Sequence, residues 1–176
     1  MQESADHTLV VRDLVKHFGH VRANDGLNLE FRSSEVHALL GENGAGKSTL
    51  IKTLAGIYHQ DSGEVLVDGE PVGLETAMAA RQCGISVVHQ DSTLVPRLTV
   101  LENVVLQEGG AGPIAPELGE RLAESGRRLG FELDPKARVE ALTPGDRQRV
   151  EIARALMADA RFLILDEPTA VLSPQE

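Results

Sequence analysis

The chain has 176 residues, 41% of them hydrophobic and 25% charged, which suits a globular domain with a sizeable core and excludes a disordered or membrane-embedded class. Lys and Arg number 17 against 27 Asp and Glu, a formal net charge of −10, so a surface built to grip nucleic-acid phosphates is excluded as well. A single cysteine, Cys83, offers neither an internal disulfide nor a metal cluster and fits a reducing compartment. The polar start, Met1-Gln2-Glu3-Ser4-Ala5-Asp6-His7, has no signal-peptide core, and no apolar run nears the roughly 18 residues of a membrane span. The expectation is a soluble, cytosolic-type domain.

The first forty residues read as short strands with turns. Leu9-Val10-Val11 is a short apolar run, and Leu27, Leu29 and Phe31 alternate with polar residues at strand period. Val36-His37-Ala38-Leu39-Leu40 is nearly all apolar and runs into a glycine loop, which predicts a buried parallel strand. A helix is expected over 48–57, and a strand over 64–67 that meets the hairpin dipeptide Asp68-Gly69. A short helix near 75–82 leads into a strand over 85–88. Thr99 and Glu102 form a capping box that starts a helix at Val100. Gly109-Gly110-Ala111-Gly112-Pro113 is a loop, and Pro116 opens a helix that Gly130 ends. Residues 100–158 are mostly helical, after which Phe162-Leu163-Ile164-Leu165 returns as a short buried strand. Strand–loop–helix units around a helical insertion predict an α/β core with a helical subdomain.

Gly41-Glu42-Asn43-Gly44-Ala45-Gly46-Lys47-Ser48 fits the phosphate-loop pattern without a mismatch. Glycines allow successive backbone N–H groups to curl around a phosphate, and the helix that follows presents its positive end to the same anion. Lys47 reaches the β- and γ-phosphates in this pattern, and Ser48 ligates Mg²⁺. A glycine-rich turn that merely precedes a helix is the bland alternative. Four fixed positions arise by chance in well under about one chain in twenty of this length. At the exit of the strand over 162–165 stand Asp166 and Glu167, where ligands meet open α/β sheets. Asp166 suits Mg²⁺, usually through water, and Glu167 suits polarising the attacking water. Taken alone the pair reads equally as a solvated strand end; beside the phosphate loop the functional reading prevails.

Together these residues resemble an ABC-transporter ATPase over nearly the whole chain, from about Leu9 onward. Leu142-Thr143-Pro144-Gly145-Asp146-Arg147-Gln148-Arg149-Val150-Glu151-Ile152-Ala153-Arg154-Ala155-Leu156 resembles the family's signature and its helix. Gln90, after Val87-Val88-His89, matches the Q-loop, and Phe18 stands where the family stacks an aromatic on adenine. The wording of residues 94–103 and 168–176 is similar to importers of simple sugars and purine nucleosides, whose polypeptide carries two ATPase domains; this chain resembles the first.

The resemblance implies a P-loop NTPase core of α/β class with an N-terminal antiparallel β part and a helical subdomain at about 98–158. The ATP-binding domain would span 1–176 and be incomplete, with its C-terminal strands missing. It implies ATP and Mg²⁺ as ligands. Phe18, Gly41, Glu42, Asn43, Gly44, Ala45, Gly46, Lys47, Ser48, Thr49, Thr143 and Gly145 would bind nucleotide, and Ser48, Gln90 and Asp166 would hold the metal. Glu167, Lys47 and Gln90 would carry catalysis. It implies integral membrane permease subunits as partners, a second ATPase domain (fused or separate) closing head to tail, and a solute-binding protein met indirectly, with no nucleic acid. The location implied is cytoplasmic, on the inner face of the cell membrane through the permease.

Three departures from the family pattern stand out. The usual Ser-Gly-Gly-Gln is Thr143-Pro144-Gly145-Asp146 here: Thr143 keeps a hydroxyl for a γ-phosphate, Pro144 suits a helix start, and Asp146 adds a negative charge, so the composite site using this loop is expected to be the weaker one. Ser173 occupies the place of the D-loop aspartate. The switch histidine that the family places after the acidic pair is absent, all six histidines lying at or before His89, and His37 and His89 read as structural. Missing strands would leave an unpaired edge and an exposed core, hence marginal stability. The alternative is a truncated nucleotide-binding remnant without hydrolysis or transport. A soluble ABC ATPase of DNA repair is disfavoured because Lys47 and Leu142 lie too close in sequence for coiled-coil arms.

Overall fold

The computed structural model describes residues 6–107, 116–158 and 160–167. It divides into two compact units, 1–86 and 87–176. The loop expected over 109–113, Pro168 and Ser173 lie outside the described residues.

The first unit is built on a four-stranded antiparallel sheet of order β2-β1-β3-β4, from β1 (Thr8–Phe18), β2 (Val21–Arg32), β3 (Ser62–Val67) and β4 (Glu70–Pro71). β1 and β2 are longer than the short strands read from the sequence, because bulges carry them through polar residues. Leu9, Val11 and Leu14 are all buried, a spacing that breaks period two between 11 and 14. Asp13, at φ 47, supplies the extra residue of a bulge that restores the inward face. Asn28 braces it, accepting the Asp13 N–H at 3.0 Å and donating to Asp13 Oδ1 at 2.9 Å. Asp68 and Gly69, at φ 54 and 83, make the expected two-residue turn, pairing Val67 with Glu70; positive φ at both central residues matches the twist of the flanking strands.

Helix α1 (Lys47–Leu54) buries Leu50, Ile51, Thr53 and Leu54. It stops short of Ile57, the expected end, because Gly56 closes it: the N–H groups of Gly56 and Ile57 return to the carbonyls of Thr53 and Lys52 at 3.0 and 2.9 Å, the paired bonds of a Schellman cap. Helix α2 (Ala77–Gln82) starts on the Thr76 side chain, which accepts the Ala79 N–H at 3.1 Å. The division between units falls inside β5 (Ile85–Val88).

The segment 36–40 corrects the sequence reading. It is not a buried parallel strand: neither sheet of the described residues includes it, and Val36 and Leu40 are 102% and 87% exposed. An apolar run becomes a central strand only when neighbours take its N–H and C=O groups on both edges, and none of the described strands does so.

In the second unit the helices α3 (Val100–Gln107), α4 (Pro116–Arg128) and α5 (Pro144–Met157) bury Leu94, Val100, Val104, Leu118, Leu122, Val139, Val150, Ala153 and Met157 in one cluster. Each helix begins where local chemistry dictates. At α3 the Thr99 N–H donates to Glu102 Oε2 at 2.7 Å and the Glu102 N–H to Thr99 Oγ1 at 3.2 Å, the reciprocal bonds of a capping box. Pro116 and Pro144 stand in the first turns of α4 and α5, where a missing N–H costs nothing. β6 (Phe162–Leu165) joins β5 in a two-stranded sheet, extended by the Asp166 N–H on the Val88 carbonyl at 2.9 Å. Only Phe162 of β6 is buried and Leu165 is 40% exposed, less covered than expected, because two strands alone offer little to pack against.

Candidate functional site

The glycine-rich loop lies in the first unit, between the extended segment and α1. Gly46 is the N-cap of α1, in the left-handed region at φ 88, and no side chain caps the helix. The first N–H groups of a helix have no intrahelical acceptor, so here they are left for a ligand. No acidic residue stands in the first turn, which keeps the positive end of the helix open to an anion. A Cβ at Gly46 would meet the Ala23 carbonyl oxygen at 2.1 Å and Asn24 Nδ2 at 2.6 Å, so only glycine fits this close approach to β2. The turn above is closed by the Ala45 N–H on the Glu42 carbonyl at 3.2 Å. Lys47 folds back over its own loop, donating from Nζ to the carbonyls of Gly41 and Glu42 at 2.6 and 2.8 Å. Gly41, Glu42, Asn43, Gly44, Ala45 and Ser48 are exposed, and Thr49 is half-buried.

Phe18 closes β1 in the same unit with its ring 44% exposed. It meets Tyr58 edge-on at 5.2 Å, and Lys16 Nζ lies 5.5 Å from its centroid. Lys16 is held there by Asp61 at 3.1 Å. The His17 N–H, 2.6 Å from Oδ2 of Asp61, and then Lys16 hold the Asp61 carboxyl below its ordinary range.

Other predicted residues stand in the second unit. Gln90 lies in the turn after β5 and, with Val88, His89, Ser92, Pro144, Arg147, Gln148 and Glu151, lines a small pocket of about 110 Å³. The start of the signature-like helix thus shares one cavity with Gln90. Thr143 is the N-cap of α5: its Oγ1 accepts the Asp146 N–H at 3.1 Å and donates to Asp146 Oδ2 at 2.7 Å. Gly145 is buried. Asp166 is half-buried at the end of β6, and Glu167 beside it is exposed, in the left-handed region at φ 49, as Asp13 and Asp68 are, a region uncommon for residues other than glycine. His37 is exposed, pairing with Glu35 at 2.9 Å and meeting Phe31 edge-on at 5.2 Å.

Two buried polar residues carry structure that the sequence reading passed over. Glu151, 3% exposed, accepts from Ser92 Oγ at 2.9 Å and from the Thr93 N–H at 2.6 Å, and Arg154 lies 3.4 Å away. It ties α5 to the loop that follows Gln90. A carboxylate between Val150 and Ala153, both fully buried, was the available signal. Asn24, on β2, is 3% exposed and donates from Nδ2 to the Gly46 carbonyl at 3.2 Å; nothing in the local pattern marks it.

A family model for ABC transporters matches residues 24–170. The chain belongs to the ABC transporter family. It is 52% identical over 171 residues to a ribose import ATP-binding protein of Rubrobacter xylanophilus, covering 96% of this chain and 34% of that protein. An arabinose import ATP-binding protein of Burkholderia cenocepacia is 47% identical over 173 residues, covering 92% of this chain and 33% of that protein. The chain thus spans about a third of the length of the curated relatives it matches. An ATP-binding cassette of an ABC transporter, solved in its ADP conformation, superposes with a TM-score of 0.83 at 27% identity, covering 96% of this chain and 72% of that one. A dimeric bacterial ABC transporter cassette gives a TM-score of 0.78 at 25% identity, covering 95% and 77%. The α/β fold is that of an ABC ATPase core, with its antiparallel sheet in the first unit. Among the described residues no helix is long and apolar enough to cross a membrane.

Ser48 stands in the first unit, and Gln90 and Asp166 in the second. Ser48, Gln90 and Asp166 offer hydroxyl, amide and carboxylate oxygens, which are the hard ligands that Mg²⁺ takes alongside phosphate oxygens.

Proposed function

We propose that this chain is the first ATP-binding and ATP-hydrolysing cassette of an ABC importer for simple sugars or nucleosides, with its ATP-binding domain over 1–176 and a helical subdomain at about 98–158. The uncapped glycine loop over α1 carries this reading, and the import ATP-binding relatives support the cargo class. The N–H groups of Gly44 and of residues 46–49 take the phosphates, Lys47 turns from its loop carbonyls to the β- and γ-phosphates, and Phe18 stacks on adenine. Ser48, Gln90 and Asp166 would hold Mg²⁺, which would supply charge withdrawal from the phosphate oxygens. Glu167 polarises the attacking water. Thr143 and Gly145 serve the γ-phosphate of a second ATPase domain, fused or separate. Integral membrane permease subunits dock beside Gln90 and hold the cassette at the cytoplasmic face, and a solute-binding protein acts through them.

Lys47→Ala tests the loop. The substitution removes the only cation of the motif, and ATP binding, followed by calorimetric titration, is expected to fall below detection. Undiminished affinity would remove the loop from nucleotide binding.

A further inference from the structure

Asn24 is an unusual occupant of its site. It sits on β2 at 3% exposure, and its Oδ1 is buried without a hydrogen-bond partner among the described residues. Leaving such an acceptor unpaired is destabilising, and an apolar side chain of similar size would avoid that cost. What the amide gains is one bond, from Nδ2 to the Gly46 carbonyl at 3.2 Å. That carbonyl is also the first acceptor of α1, receiving the Leu50 N–H at 2.9 Å. Gly46 lacks a side chain and sits at φ 88, so nothing of its own holds the peptide that joins it to Lys47. In a planar trans peptide the C=O and the following N–H point in opposite directions. Fixing the Gly46 oxygen toward β2 and the helix therefore aims the Lys47 N–H the other way, out of the helix N-terminus.

We propose that Asn24 is a positioning residue for the phosphate loop: by holding the Gly46 carbonyl it pre-sets the Lys47 N–H for a phosphate oxygen. The proposal rests on the reading that this loop binds a nucleotide. Asn24 touches no nucleotide itself; it acts through the backbone. Losing one net hydrogen bond of this kind weakens affinity by about three- to tenfold.

The test is Asn24→Leu in the full-length protein, with ATP and adenosine bound by titration or displacement and the melting temperature taken without ligand. Leucine keeps the bulk, drops the donor and removes the unpaired oxygen. The expected result is an unchanged or higher melting temperature, ATP affinity lowered about three- to tenfold, and adenosine affinity unchanged, because adenosine has no phosphate to meet the Lys47 N–H. Asn24→Asp is the second variant; nearly isosteric, it sets a carboxylate against the Gly46 carbonyl and is expected to lose more ATP affinity than leucine does. It decides the matter should the leucine variant fail to fold. Unchanged ATP affinity, or equal losses for ATP and adenosine, would overturn the proposal. A wild-type protein that binds no ATP would instead overturn the reading of the loop, an outcome distinct from either.

Discussion

Glu151 shows what a single buried side chain decides here. Its carboxylate is 3% exposed and collects donors from Ser92, Thr93 and Arg154, so α5 and the loop after Gln90 share one anchor. Glu151→Ala leaves those donors facing a void and is expected to cost about 2–4 kcal/mol in urea unfolding; a loss under about 1 kcal/mol would make the contacts idle. Glu151→Gln keeps an acceptor oxygen and should lose less. The partners of such residues were invisible in the sequence because they are remote: Glu151 reaches back 59 residues to Ser92, and Asn24 forward 22 to Gly46. Thr99 was legible as a cap because it bonds a residue three positions on; the same short reach at Thr143 went unread. Local chemistry can be read along the chain; contacts across it cannot.

Among the elements, α3 depends on its cap. Thr99→Ala removes both the hydroxyl acceptor and the hydroxyl bond to Glu102, and is expected to cost about 1 kcal/mol in thermal unfolding. The Thr99 N–H, and then its hydroxyl, hold the Glu102 carboxyl below its ordinary range. A folded-state pKa below the unfolded one means that the contribution is full above the ordinary carboxylate range and is lost as pH falls through the depressed value. The melting temperatures of wild type and Glu102→Gln should therefore differ most near neutrality and converge below about pH 4; a gap that persists in acid would place the effect elsewhere. Element positions followed the sequence closely at such caps, at the Asp68-Gly69 turn and at β5. They departed from it where burial or pairing was needed: β1 ran on through its bulge, and the apolar segment 36–40 found no partner strand.

For the molecule as a whole, the question is what its signature loop does in an assembly. Thr143 commits its hydroxyl proton to Asp146 Oδ2 at 2.7 Å, and Arg149 pairs with the other carboxylate oxygen at 3.1 Å. If Thr143 serves the γ-phosphate of a second cassette, as proposed, that phosphate would meet an occupied hydroxyl and a nearby negative charge, and the composite site would be the weaker one. In the assembled transporter Asp146→Gln should lower the KM for ATP about two- to fivefold, an exposed charge being worth under about 1 kcal/mol. Unchanged affinity and turnover would clear Asp146 of any part in it. The sequence by itself determined the glycine-rich loop before α1, the Thr99 cap, the hairpin and the family, since each rests on residue types at short fixed spacings whose geometry is local. Only the tertiary structure decided that Glu151 anchors the Gln90 loop, that Asn24 grips Gly46, and that 36–40 stands unpaired among the described residues, because burial and hydrogen-bond satisfaction depend on which distant segments arrive alongside.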